Sequence, residues 1–390
     1  MAFGKEEKSD VAIAVPANYL LTPFGDRYCR QRGIPLSEIT TSDVNRGSGF
    51  VWQQVNVGFL ERLVALNLIS EIEIRRHEFG SKRGEIVRLS KEIGYALIVD
   101  AFRTAVSQRL RELPAVERLL EHPSVTTGGN GRQFDPALVQ KILATQKPLL
   151  ESFREALLEE GRGAVAKEDF FHAEKVRFLR RAVDSLNDES WFLLYVIDHR
   201  GKQAEVHPAI LELLSSFLKR VVIPEYGGLI LTELLNAAES VHLRDLAERD
   251  QYLRTHPHEL EQKLRDPEFV RKLTSRGAIN KEFLTLAYKF DSGEPSRTGR
   301  RVLEILLSNG GLLGYRSRND ILNRPQKRVR REKLVDLVAQ DSEGTLAGSL
   351  LGIYLNALQE TASEQGVDVD SEVVRDEREG RTRTIIRISF

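Results

Sequence analysis

The sequence predicts a mainly α-helical protein with small β-hairpins, divided into three domains along its 390 residues. Apolar residues recur at intervals of three and four through residues 136–290, which is the spacing of one buried face on each of several helices. Residues 71–90 and 367–390 instead alternate between apolar and polar positions on either side of a turn, as hairpins do. Stretches rich in glycine, proline and serine at residues 122–135 and 291–299 separate these regions.

Length and composition indicate a folded, multidomain protein. A chain of 390 residues exceeds one ordinary core, since domains usually hold roughly 100 to 200 residues. Hydrophobic residues make up 41% and charged residues 29%, as in globular proteins. We predict an N-terminal domain at residues 1–121, a linker at 122–135, a helical bundle at 136–290 and a C-terminal α+β domain at 300–390.

The charge balance restricts how the protein could bind nucleic acid. Lysine plus arginine and aspartate plus glutamate number 57 each, so the chain as a whole has no basic field. Any contact with DNA must therefore come from a local patch.

Cysteine content and hydropathy predict a cytoplasmic protein. Cys29 is the single cysteine, which excludes an intramolecular disulfide and a multi-cysteine zinc site and suits a reducing compartment. The charged N-terminus does not match an export signal, and no run of about eighteen apolar residues predicts a membrane span.

The N-terminal domain contains a predicted helix-turn-helix. A helix-like piece at residues 36–46 precedes a turn at 47–49 and a second helix within 51–69. Apolar positions of the second helix can face the core, while Gln53, Gln54, Asn56 and Arg62 stay exposed. Glutamine and asparagine can read adenine edges in the major groove, so these four residues are candidate DNA contacts.

A predicted hairpin with basic residues follows this helix. Its tip carries Arg75, Arg76, Lys82 and Arg83, which could hold phosphates or enter the minor groove beside the recognition helix. A long helix around residues 95–113 then completes the domain, and Pro114 ends or bends it.

The motifs LERLVALNLIS and GSKRGEIVRLSKEIGYAL, taken in this order, resemble the winged-helix domains of the MarR family over about residues 36–110. The resemblance implies that the protein binds duplex DNA, with the helix reading bases and the wing holding phosphates. Glu71, Glu73, Glu78 and Glu85 dilute the positive charge of the wing, so a winged helix that binds another protein remains an alternative.

The rest of the chain is predicted as a bundle and an α+β unit. Breaks at residues 161–163, 199–201, 224–228 and 276–280 divide the bundle into helices. The C-terminal domain ends in a helix at 346–362, strands at 367–374 and 384–390, and a turn at 376–380, an order that a second winged helix would share. A basic tract precedes them and could neutralise phosphates: Arg324, Lys327, Arg328, Arg330, Arg331 and Lys333.

The predicted function is DNA binding, with the helical region mediating self-association or recruiting a protein partner. The alternative is a non-enzymatic scaffold subunit of a multiprotein complex acting on DNA, because the order of domains resembles the bacterial kleisin class of chromosome-organising subunits. We find no nucleophile motif, no phosphate-binding loop and no metal-ligand spacing, so we assign no catalytic residue and expect neither a cofactor nor a metal.

Overall fold

The computed structural model describes residues 12–43, 45–114, 116, 126–127, 133–167, 169–199, 203–249, 256–280, 282–290, 301–311, 330–340 and 350–390. In chain order the first elements are β1 (Ala12–Ile13), β2 (Ala17–Leu21), α1 (Pro23–Gln31), β3 (Ser37–Thr40), β4 (Arg46–Trp52), β5 (Val55–Asn56), α2 (Val57–Ala65), β6 (Ile69–Arg76), α3 (Arg83–Arg111), β7 (Thr126–Thr127), β8 (Gln133–Phe134), α4 (Pro136–Thr145), α5 (Lys147–Gly163), α6 (His172–Asp184), α7 (Asp188–His199) and α8 (Gln203–Arg220). The remaining elements are α9 (Val222–Glu248), α10 (Pro257–Lys263), α11 (Pro267–Ile279), β9 (Leu284–Phe290), β10 (Val302–Gly310), β11 (Arg330–Lys333), α12 (Leu334–Gln340), α13 (Leu351–Glu364), β12 (Asp368–Asp376) and β13 (Arg381–Ser389).

The fold is mostly α-helical with some sheet, and the chain divides into two compact units. The sheet unit comprises Met1–Gly94 and Ile223–Phe390, and the helical unit comprises Tyr95–Val222. No helix in the described part of the chain is long and apolar enough to cross a membrane.

One nine-stranded sheet organises the sheet unit. Its strand order is β11-β12-β13-β10-β9-β6-β2-β4-β3, and every neighbouring pair is antiparallel. Antiparallel sheets can bury one face and leave the other polar. Here Ile72, Tyr288, Ile305 and Ile386 lie in register on four adjacent strands and are all buried, which defines the core face.

Helices of the sheet unit begin at residues that supply their missing hydrogen bonds. Thr22 caps α1 by accepting a hydrogen bond from the amide of Gly25 at 3.0 Å. Asn56 caps α2 through the amide of Phe59 at 3.2 Å, so this helix begins at Val57.

The helices α3 and α9 cross closely within the sheet unit. A Cβ atom on Gly94 would lie 3.0 Å from Pro224, and one on Gly228 would lie 2.5 Å from the side chain of Lys91. Lys91 also donates to Glu225 at 2.5 Å. Small residues thus bring the two backbones together, and an ion pair joins them.

The helical unit has its own core. Phe178, Leu179, Phe192 and Leu193 are almost fully buried, as expected for helices packed on one another. A hydrogen bond of 2.9 Å between Ser107 and Ser190 links α3 to α7.

The N-terminal winged-helix arrangement predicted from the sequence is wrong. The predicted first helix at residues 36–46 forms β3 and the start of β4, and the predicted turn at 47–49 lies inside β4. A Cβ on Gly49 would lie 2.0 Å from the carbonyl oxygen of Tyr19, so glycine here permits close approach of strands rather than a turn.

The predicted wing is also wrong. Its first strand, β6, pairs with β2 and β9, and its second strand is the first part of helix α3. Ile86, Leu89 and Ile93 are all buried, and their spacing of three and four residues is helical rather than alternating.

The predicted domain boundaries differ from the observed units, because strands from residues 17–76, 284–310 and 368–389 share one sheet. The linker at 122–135 is described only in part, and the boundary at 291–299 lies outside the described residues. Helix ends match the predicted breaks at 161–163, 199–201 and 276–280, whereas 224–228 lies inside α9. The C-terminal order of helix, strand, turn and strand is confirmed by α13, β12 and β13, although this hairpin belongs to the large sheet.

Candidate nucleic-acid interface

The second face of the sheet carries charged side chains across six strands. Residues directly opposite each other in an antiparallel pair lie on the same face, so the register defines rows that run across the sheet. One row alternates in sign over five strands and comprises Glu71, Lys289, Glu304, Arg387 and Asp370. This row is therefore charged along its whole length, whereas the opposite face of the sheet is the core.

Arg387 connects three acidic residues of this face. Its Nε donates to Glu304 at 2.8 Å, and its Nη2 donates to Glu372 at 2.9 Å. Asp370 lies farther away, at 4.0 Å. These ion pairs join the strands β10, β12 and β13, and with one arginine against three carboxylates their part of the face carries a formal charge of −2.

The loop between β3 and β4 covers the acidic end of the face. The amide of Ser42 donates to Glu73 Oε2 at 2.6 Å, and Asn45 donates to Glu71 Oε2 at 3.2 Å. Both glutamates are almost fully buried, and this burial raises the pKa of Glu71 despite its hydrogen bond to Asn45. The loop also contributes Asp43, which forms ion pairs with Lys289 and, at 3.6 Å, with Arg383.

A second row on the same face contains three arginines, two hydroxyl residues and Val374, and no carboxylate. We call its arginines, Arg75 on β6, Arg383 on β13 and Arg331 on β11, the basic row. The hydroxyl residues Thr285 and Ser308 lie between the first two. With strands about 4.8 Å apart, the basic row extends across roughly 24 Å of the sheet.

The basic row retains exposed charge. The side chains of Arg75 and Arg383 are 33% and 43% exposed, although each has an acidic neighbour. Arg331 is exposed at the edge of the sheet. The neighbouring acid, Glu332, lies on the opposite face, where it accepts a hydrogen bond from Arg375 at 2.8 Å. Arg331 is thus turned away from Glu332, whereas Lys333 lies opposite Glu372 on the charged face.

The structure places the predicted recognition residues apart from this row. Gln53 and Gln54 lie exposed in the turn after β4, Asn56 is the cap of α2, and Arg62 is exposed on α2. They do not share one exposed helix face, so the predicted recognition helix is not formed by these residues.

The predicted wing residues also separate. Arg76 binds Glu78 and Ser81, Arg83 forms an ion pair of 2.8 Å with Glu239, and Lys82 is half-buried. Of the four predicted wing residues, only Arg75 belongs to the basic row. Arg331, from the predicted basic tract, belongs to it as well. Lys333, from the same tract, is exposed on the same face. Arg330 belongs to β11, and the other predicted residues of the tract lie outside the described residues: Arg324, Lys327 and Arg328.

Sequence reasoning missed Arg383, Lys289 and Asp43 as site residues. The alternation of Arg381, Arg383 and Arg387 along β13 was the available signal, because arginine at every second or fourth position marks a polar strand face. No comparable signal identified Asp43, since its role depends on a loop folding back onto distant strands.

These features define an α+β protein built around an antiparallel sheet with one core face and one charged face. The chain belongs to the family of unknown function DUF8084, whose profile matches residues 8–390. An uncharacterized protein of Treponema pallidum (strain Nichols) is 21% identical over 383 residues, which cover 97% of this chain and 98% of the relative. No solved structure matches the chain significantly.

Proposed function

We propose that the protein binds duplex DNA through the basic row of the sheet unit. The observation that carries the proposal is the register of Arg75, Arg383 and Arg331, three arginines from distant parts of the chain in one row without a carboxylate. Arginine binds phosphate through charge-assisted and frequently bidentate hydrogen bonds. Such contacts position a protein on DNA without reading its sequence.

The dimensions of the row suit a duplex. Phosphates repeat about every 3.4 Å along the axis on each strand, so the roughly 24 Å of the row corresponds to about seven base pairs. The hydroxyl of Ser308, which is half-buried between Arg75 and Arg383 in the row, adds a group that can donate to a phosphate oxygen. By sequence, the basic tract with Arg324, Lys327 and Arg328 leads directly into β11 and would extend the positive charge beyond Arg331.

The proposal is tested by the affinity for a random duplex at about 0.1 M salt, where each phosphate contact is worth up to about eightfold. Replacing Arg75, Arg383 and Arg331 together by glutamine should weaken binding at least about tenfold, because two of the three arginines already share acids. A matched triple variant of exposed cations in the helical unit, Arg109→Gln, Lys141→Gln and Arg180→Gln, should bind like the wild type. Equal affinities for both triple variants would contradict the proposal.

A second candidate function is a non-enzymatic scaffold subunit of a complex that acts on DNA. In the helical unit, Phe170 is 88% exposed and packs edge-on against Phe171 with ring centroids 4.8 Å apart. Exposed aromatic residues are frequent anchors of protein interfaces. Light scattering on the wild type and Phe170→Ser tests self-association through this residue, and an unchanged mass would count against it.

A further inference from the structure

A cleft opens at the end of β6, where the basic row begins. It encloses about 330 Å³, which falls within the roughly 300–1,000 Å³ of ligand pockets. One wall is the end of β6 with the segment that follows it, and the other is helix α11. The lining residues are Arg75, Arg76, His77, Glu78, Thr274, Ser275 and Ala278.

The first wall carries the arginines Arg75 and Arg76, and the carboxylate of Glu78 beside them already accepts hydrogen bonds. Arg76 donates to the carbonyl oxygen of Glu78 at 3.0 Å and to the hydroxyl of Ser81 at 3.1 Å. The Glu78 carboxylate accepts from the amide and the hydroxyl of Ser81, at 2.9 and 2.5 Å, and from Arg76 at 3.4 Å. The lining itself carries two arginines and one glutamate, but Glu73 beside it pairs with Arg75 at 2.6 Å, so an anion would bind through the remaining donors of the two guanidinium groups rather than through an excess of charge.

The second wall presents hydrogen-bond acceptors. Thr274 donates its hydroxyl proton to the carbonyl of Val270 or Arg271, at 3.1 and 3.0 Å, and Ser275 donates to Arg271 at 2.8 Å. With their protons directed at the helix backbone, both oxygens can accept from a ligand hydroxyl or amino group. A ligand with an anionic group at one end and donors at the other would match both walls.

An aromatic pair adjoins the cleft. The ring of His77 packs on Phe283 with centroids 4.5 Å apart and planes inclined by 31°. Phe283 remains 36% exposed, although it is a large apolar residue. Exposed aromatic rings beside cationic grooves are stacking platforms for nucleic-acid bases.

We infer that the cleft binds a nucleotide phosphomonoester, with its phosphate on Arg75 and Arg76, its sugar or base donors toward Thr274 and Ser275, and its base on Phe283. The terminal phosphate of a DNA strand and a free mononucleotide share this chemistry. Binding of the terminal phosphate of a DNA strand rests on the proposed function, because Arg75 belongs both to the cleft and to the basic row.

The test compares three internally labelled duplexes of one sequence: one phosphorylated at both ends of each strand, one with hydroxyls there, and one closed by hairpin loops. Deoxyadenosine monophosphate and inorganic phosphate serve as competitors. We expect the phosphorylated duplex to bind about tenfold more tightly than the other two, and the mononucleotide to remove this preference.

Single substitutions distinguish binding in the cleft from binding along the basic row. Arg76→Gln and Phe283→Ala should each reduce the preference to less than about twofold, while Arg331→Gln should weaken all three duplexes equally and keep the ratio. Phe283 is partly exposed, so its variant remains informative even if Arg76→Gln disturbs the fold through Ser81.

The outcomes for cleft and row are distinguishable. Mononucleotide binding that Phe283→Ala abolishes, without any preference among duplexes, supports the cleft and assigns it to a free nucleotide. Binding of the mononucleotide without any duplex binding supports the cleft and overturns the proposed function. Equal binding of all three duplexes, together with no binding of mononucleotide, overturns the inference and leaves the proposed function standing.

Discussion

Replacing Asp43 with asparagine should strengthen DNA binding. Asp43 lies in the loop over the charged face and forms ion pairs with Lys289 and, at 3.6 Å, with Arg383. Its carboxylate therefore occupies the place that a phosphate oxygen would take between these two cations. Asparagine keeps the size of the side chain and removes the charge.

The magnitude follows from the number of cations released. Each additional phosphate contact makes the slope of log affinity against log salt steeper by about 0.9 and is worth about eightfold at 0.1 M salt. In the Asp43→Asn variant, Arg383 should add one full phosphate contact. Lys289 should count for less, because Glu71 and Glu304 lie beside it in register. We expect a slope steeper by about one unit and an affinity increased about eightfold.

The assay is fluorescence anisotropy of a labelled random duplex over a salt series from about 50 to 200 mM. Glu151→Gln removes the same charge from the helical unit, where Glu151 lies 3.6 Å from Lys147, and serves as the matched control. Because Asp43, Lys289 and Arg383 are all partly exposed, the loss of stability should stay near 1 kcal/mol. An Asp43→Asn slope equal to that of the control would refute the role assigned to this loop.

Two further predictions concern the fold of the sheet unit. His242 is only 2% exposed, and burial, with Arg249 and His77, lowers its pKa from 6.5 to about 4. The unfolded His242 ring binds a proton below about pH 6.5, whereas the folded ring does so only below about pH 4. The free energy of unfolding should therefore decrease as the pH falls from 6.5 to 4, by up to about 3 kcal/mol. In urea unfolding at both pH values, His242→Leu should show a correspondingly smaller loss than the wild type, and an equal loss would contradict this assignment. Gly49→Ala should lower the free energy of unfolding by about 1–3 kcal/mol, because the new Cβ would lie 2.0 Å from a carbonyl oxygen. Gly163→Ala, with open space at its Cβ, is the control, and equal melting temperatures would count against the strand contact.

Local sequence patterns predicted those elements whose partners are near in sequence. The C-terminal helix and hairpin were predicted correctly because β12 and β13 pair with each other across a short turn. The helices of the central region were predicted because their apolar spacing persists over several turns.

The N-terminal prediction was wrong because the partners of β6 are distant. Glu71 on β6 lies opposite Lys289, and no local signal shows that a strand is paired on both sides. The alternation in β6 and the turn after it therefore favoured a hairpin, although Ile86, Leu89 and Ile93 already had the spacing of a helix.

Two residues of the basic row were predicted from the sequence, but the row itself was not. Arg75 and Arg331 were each identified as basic contacts, from two separate predicted motifs. Their alignment depends on the order of six strands, including β9, β10, β12 and β13 between them. Arg383 joins them only through that order, so the row could not be derived from spacing along the chain.

The most direct test of the central claim is the number of phosphates that the basic row contacts. This number is measured as the difference in salt slope between the wild type and the triple variant Arg75→Gln, Arg383→Gln and Arg331→Gln. Because Asp43 holds Arg383 in the wild type, Arg75 and Arg331 should account for most of the difference, and the slope of the variant should be shallower by about 1.8, at about 0.9 per contact. A variant that binds duplex DNA with the slope of the wild type would contradict the account.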